Sequence, residues 1–166
     1  IGVGKRMTDK TFEHLMHLRR TRYGTKVCYN DNVKEVFSQN EKTKTPSAYM
    51  LLSDQSPNDT YKCYWTTFLN QDTGLIFGGE YFAKKYNYPV FYYKVNKESR
   101  GYYSFDIIPI SLNPQQEGYA EITQKYTSLL ENTIKENPPY WLWSHKRWKH
   151  KRPEKIYQDT FRKEKD

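Results

Sequence analysis

The chain has 166 residues, a net charge of +8, 36 % hydrophobic residues and an aromatic fraction of 17 % that includes sixteen tyrosines. That length suits one domain with a real core and argues against two, and large rings can close such a core despite the modest apolar count. Two cysteines, Cys28 and Cys63, fit neither a disulfide framework nor a clustered zinc site and leave a reduced, cytosol-facing compartment as the default; no run approaches the roughly 20 apolar residues of a membrane span, and these 166 residues contain no signal-peptide pattern.

Thr8 to Tyr23 reads as a helix, capped by Thr8 or Asp9, with Phe12, Leu15, Met16 and Tyr23 on one face and Gly24 as a stop. A short strand at Lys26–Tyr29 precedes a helix from about Asn32 to Gln39, for which Asp31 is the expected cap. Ala48–Leu52, apolar on both faces, is expected to be a central strand. It runs into the turn-rich "SDQSPND" at residues 53 to 59, the kind of strand end where open α/β sheets build sites. A helix is expected from about Asp72 to Tyr86, with Gly78-Gly79 a costly pair in its middle. Pro89–Val95 and Gly101–Ile110 read as two strands of a hairpin across "NKESR". Gly118 to Glu136 is the strongest helix, with Tyr119, Ile122, Tyr126, Leu129, Leu130 and Ile134 at three-four spacing and Pro138-Pro139 ending it. A last helical piece is expected to hold the terminal tryptophans. The alternation specifies an α/β domain with a mixed sheet.

The charge is uneven. Residues 144 to 166 hold nine Lys or Arg against four Asp or Glu, a local +5, while the other 143 residues carry +3. A basic terminus on a nearly balanced body suits an acidic partner, although a solvated tail is the plain alternative. Several motifs fail. "GVGK" at residues 2 to 5 has neither P-loop nor dinucleotide spacing, and there is no Gly-x-Ser-x-Gly elbow. His14 and His17 are helical neighbours without an acid to complete a metal site.

"NPPYWLWSHKRWKHKRP", residues 137 to 153, mixes three tryptophans with cations. On a helix, Trp141, Ser144, His145 and Trp148 share one side, and Tyr140, Trp143 and Arg147 another. The rings therefore divide. One set packs on the domain, and Lys146, Lys149 and Lys151 face solvent or a partner. That favours a lipid-interface segment over a stacking platform for bases, with a nucleic-acid grip and a simply packed terminal helix as the alternatives.

Three stretches together resemble the lipid A biosynthesis acyltransferases, the lauroyl/myristoyl branch of the lysophospholipid acyltransferase-like superfamily. "LLSDQSPND" resembles a strand that ends in Asp-Gln before a loop. "GGEYFAKKYNYPVFYYKVNKESRGYYSFDIIP" resembles the family's helix, alanine-centred turn and hairpin. "ENTIKENPPYWLWSHKRWKHKRP" resembles its long terminal motif, and the likeness spans about Lys5 to Glu154. The resemblance implies a glycerolipid acyltransferase-like fold, a central mixed sheet flanked by helices, on the cytoplasmic face of a bacterial inner membrane. It also implies transfer of a fatty acyl chain from acyl carrier protein, or a related thioester, to a hydroxyl of a lipid acceptor, without cofactor or metal. In the family a histidine with an acid five positions later deprotonates that hydroxyl.

That pair is missing. Five positions after His14, His17, His145 and His150 stand Arg19, Arg22, His150 and Lys155. Because "GKRMTDKTFEHLMHLRRTRYG" resembles the segment just downstream of the pair, the expectation is an N-terminally truncated domain, residues 1–153, followed by a basic, flexible tail at 154–166. Such a piece alone does not transfer acyl groups. Carried over by resemblance, Arg20, Arg22, Asp54, Gln55, His145, Lys146 and Arg147 are candidates for contacting substrate or phosphate, and Trp65 and Phe68 for lining an acyl channel. The "YWTTFLN" stretch lacks the family's Pro and Gly, so chain-length selectivity does not carry over. The expected partners are the acyl donor, the lipid acceptor and a membrane surface, with no nucleic acid.

Overall fold

Residues 1–153 are described in the computed structural model; the tail expected at 154–166 lies outside the described residues. The contacts divide the chain at Leu52/Ser53 into two units.

In the first unit, β1 (Gly2–Gly4) pairs in parallel with β2 (Val27–Tyr29), Gly2 opposite Val27 and Gly4 opposite Tyr29. Helix α1 (Lys10–Thr21) crosses between them. It starts where the Asp9 carboxylate accepts the Phe12 N–H at 2.8 Å, one of the first-turn donors that no helical carbonyl can serve. Its expected apolar face is not buried: Phe12 and Leu15 are each about half exposed. Helix α2 (Val33–Lys42) follows, and its Phe37 stacks on Tyr49 with centroids 3.7 Å apart. Asp31 does not cap it, since its carboxylate is 2.9 Å from Arg6 Nε, and Asn32 occupies the cap position. The central strand expected at Ala48–Leu52 does not form. Its pairing partner would be the three-residue β1, so only a single bridge, Gly2 to Met50, is made, and Met50 and Leu52 are exposed.

The second unit begins with a loop and the hairpin of β3 (Cys63–Phe68) and β4 (Gln71–Ile76). The helix expected from Asp72 is therefore a strand over its first five residues. Leu69 and Asn70 take φ of 49° and 60°, the left-handed pair that turns a two-residue hairpin with the right twist. Helix α3 (Gly78–Tyr86) starts at the glycine pair instead of enclosing it. That removes the cost of mid-helix glycine, and Asn87 in the left-handed region ends the helix. The β5 (Val90–Ser99) and β6 (Tyr102–Ser111) strands form the expected hairpin. Helix α4 (Glu121–Glu136) buries Ile122, Leu130 and Ile134, matching its three-four spacing.

The α/β class is as expected, with both parallel and antiparallel pairing. Among the described residues the strands, expected in one central sheet, are distributed over three two-stranded ladders. The buried Glu80 carboxylate joins α3 to α4. It accepts the Ala120 N–H at 2.7 Å, the Thr123 N–H at 2.9 Å and the Thr123 hydroxyl at 2.7 Å, taking the place of a cap that Ala120 cannot supply.

Candidate functional site

The terminal segment is not the expected helix. After a 3-10 turn at Pro138–Tyr140 it runs through successive turns, because the two prolines withhold backbone donors and the next bonds span only two or three residues. The division of its rings nevertheless holds. Trp141 and Trp148 pack on Phe68, Leu130 and Ile134, while Tyr140 and Trp143 are exposed. Phe68 is fully buried, 5.9 Å from Trp141 edge-on and 6.3 Å from Trp148 in a stack. Trp65, also buried, donates its indole N–H to the Thr60 carbonyl at 3.0 Å. Both acyl-channel candidates therefore carry packing contacts of the core.

Arg147, expected on one face with Tyr140 and Trp143 and as a contact for substrate or phosphate, is turned inward while those two rings are exposed. It is 2 % exposed, with Nη1 donating to Thr73 Oγ1 and Nη2 to the Gly74 carbonyl, both at 2.9 Å. Its guanidinium carbon lies 5.6 Å from the Phe68 ring centroid. Burial lowers its pKa, opposed by the phenol of Tyr126 and the carboxylate of Asp54, yet a guanidinium keeps its charge at any ordinary pH. Gly74 leaves room for the close approach of Cys63 and of the 53–59 loop: a Cβ there would lie 2.7 Å from Cys63 Sγ and 3.3 Å from Pro57 Cγ.

Two residues earlier, Nε2 of His145 accepts the Ser56 N–H at 3.0 Å. The 53–59 loop is thus held to the terminal segment, with Ser56 and Pro57 buried. Asp54 in this loop is half-buried and Gln55 exposed. The Tyr126 phenol is pushed strongly upward, first by burial and then by the Asp54 charge. Asp54 and the His145–Arg147 pair, about ninety residues apart in the chain, therefore belong to one neighbourhood on the second unit. Lys146 is exposed beside them. Farther along, Arg152 forms a bidentate pair with Asp72 and covers the Trp65 ring at 5.7 Å.

Arg20 and Arg22 belong to the first unit. Arg20 is half-buried, with its Nη1 against Gly4, and its charge helps hold the Glu13 carboxyl low. Arg22 ends α1, exposed, 5.2 Å from the Tyr23 ring centroid. A groove of about 500 Å³ in this unit is lined by Arg6, Lys10, Glu13, His14, His17 and Tyr29. Among the described residues no three His, Cys, Asp or Glu side chains gather as a metal site would need, and no helix is long and apolar enough to cross a membrane.

Glu80 and Tyr126 had drawn no attention as individual residues. Tyr126 reads as part of an apolar helix face, and nothing in its spacing reveals that it shares a neighbourhood with Asp54. Glu80 at the start of a glycine-led helix carries one signal, an acid in the first turn, but its true partners lie forty residues away.

Comparison with curated proteins gives no match. A family model, the bacterial lipid A biosynthesis acyltransferases, matches residues 1–150, which include α1, the 53–59 loop, both hairpins of the second unit and the His145–Arg147 anchor. With nine-tenths of its length matched, the chain belongs to the bacterial lipid A biosynthesis acyltransferase family.

Proposed function

We propose that the protein acts in transfer of a fatty acyl chain from acyl carrier protein, or another acyl thioester, to a hydroxyl of a lipid A precursor or related lipid, and that residues 1–166 alone do not perform the transfer. The family match supports an acyltransferase, and the missing acid five residues after every histidine supports the second part. A general base needs its orienting carboxylate within hydrogen-bond reach, and His145 instead accepts a backbone N–H.

The observation that carries the reading is the seating of the terminal family motif on the Asp54 loop through His145 and on β4 through Arg147. In the second unit Arg147 anchors the segment, exposed Lys146 is the cation offered to phosphate or headgroup, and Asp54 and Gln55 are assigned to the acceptor. In the first unit, exposed Arg22 and half-buried Arg20 are separate candidates for a phosphate contact. Trp65 and Phe68 back the acyl chain from within the core. We place the protein at the cytoplasmic face of the bacterial inner membrane, where its basic terminus meets anionic lipid or the acidic carrier.

A nucleic-acid-binding role is the rival from another class. It is disfavoured because, within the terminal segment, Trp141 and Trp148 are packed against Phe68 and only Trp143 and Tyr140 are presented outward. Cosedimentation with anionic liposomes, run beside a fluorescent RNA and DNA titration, separates the two: lipid partitioning is expected, and tight nucleic-acid binding without it overturns the proposal. Acyl transfer by this chain above a heat-killed control overturns its second part. An acceptor other than lipid A, such as a lysophospholipid, would show in the same assay as acylation of that lipid by the full enzyme.

A further inference from the structure

We infer that His145 is a positioning residue whose protonation state decides whether the Asp54–Gln55 loop is held in place. The Ser56 backbone N–H points at His145 Nε2 across 3.0 Å, over a separation of 89 residues. An amide nitrogen has no lone pair to offer, so Nε2 must accept. Making this bond requires a neutral imidazole with its proton on Nδ1. A doubly protonated ring presents N–H groups on both sides, and the Ser56 amide then faces a donor.

The amide has little alternative. Ser56 is 8 % exposed, and Pro57, buried beside it, approaches Gly74 of β4. A buried donor left unpaired is costly, so protonation favours lifting the loop off its seat. Asp54 and Gln55 immediately precede Ser56 and move with it.

Four elements meet around the latch, and each carries charged or titratable groups. The loop brings Asp54 and also Asp59, which lies 3.7 Å from Lys62. The terminal segment brings Lys146, Arg147, Lys149 and His150; the β3–β4 hairpin brings the Cys63 thiol and Asp72, which pairs with Arg152; and α4 brings Tyr126.

The bearing on acyl transfer rests on the function proposed above, but the latch itself does not. Amide exchange of the 166-residue chain, followed by NMR and divided by the intrinsic rate at each pH, reads the latch directly. Between about pH 8 and about pH 5, protection of the Ser56 amide is expected to fall about tenfold, in step with the His145 ring resonances. The neutral ring should show the nitrogen shifts of the Nδ1–H tautomer. H145Q keeps an acceptor that cannot titrate, so its Ser56 amide should stay protected at all these pH values. H145F should leave it unprotected throughout.

A wild-type profile that stays flat while His145 titrates overturns the inference, as does wild-type protection in H145F. Because the liposome and nucleic-acid assays do not read this bond, failure of the latch with lipid partitioning intact removes the latch alone. A working latch without lipid partitioning removes the acyl-transfer reading alone.

Discussion

Arg147 offers the sharpest test of how the terminal segment is held, because two opposing terms meet in one side chain. Its fork makes two charge-assisted hydrogen bonds, each worth about 1.5–3 kcal/mol net, to acceptors inside the unit. Against this stands the burial of a cation that no carboxylate contacts in a hydrogen bond, a cost of several kcal/mol in a poorly hydrated site. Arg147→Met fills much of the same volume and removes both the charge and the fork. It leaves the Thr73 hydroxyl, 2 % exposed, and the Gly74 carbonyl to find other partners, at about 1–3 kcal/mol each, while the relieved desolvation returns part of that. The expected net loss is about 2 kcal/mol.

Arg147→Lys should be worse, about 3 kcal/mol, because a point charge stays buried and cannot reach both acceptors in one plane. All four tryptophans, Trp65, Trp141, Trp143 and Trp148, lie in the second unit, so urea unfolding followed by their fluorescence reports on this region. A double-mutant cycle with Thr73→Val should return a coupling of about 1 kcal/mol. If the lysine variant matches wild type, or the methionine variant is neutral, the guanidinium is not the clamp described above.

Glu80→Ala should cost about 3 kcal/mol, since it leaves the Ala120 and Thr123 N–H groups and the Thr123 hydroxyl without their shared acceptor; thermal unfolding checks it, and an unchanged midpoint would count against the α3–α4 link. The Cys63 thiol, pushed up to about 11 by burial and then by Asp59, should resist maleimide at neutral pH in the folded chain and react only once urea unfolds it. Glu13 is held below the ordinary carboxylate range, first by the Tyr29 hydroxyl at 2.5 Å and next by the Met7 N–H at 2.8 Å. Its stabilising effect is thus complete above about pH 4.3 and disappears as pH falls through the lowered folded value. Amide protection in α1 should decline over that window, and Glu13→Gln should flatten the decline.

Local chemistry was enough for some elements. Asp9 announces α1 because an N-cap carboxylate and the N–H it satisfies are three residues apart. The β5–β6 hairpin and α4 follow from alternation around a short turn and from apolar residues at three-four spacing, both properties of neighbours in the chain. The long terminal motif likewise identified the family without any coordinates.

Elements whose partners are distant were not legible. "QDTGLI" has no strong strand character alone, and becomes β4 because it pairs with "CYWTTF" across a Leu-Asn turn that residue types do not advertise. Ala48–Leu52 shows the converse, since apolar residues without a long enough partner edge make only one bridge. At the site, resemblance in the sequence nominated Asp54, His145 and Arg147, but helical spacing grouped Arg147 on one face with Tyr140 and Trp143, which are exposed whereas Arg147 is buried. Only folding of the β3–β4 hairpin creates the Thr73 and Gly74 acceptors that hold the guanidinium inside, and only that seating brings His145 to Ser56. Family membership thus lies in the order of residues, whereas the direction each cation faces depends on acceptors that exist only after distant segments have met.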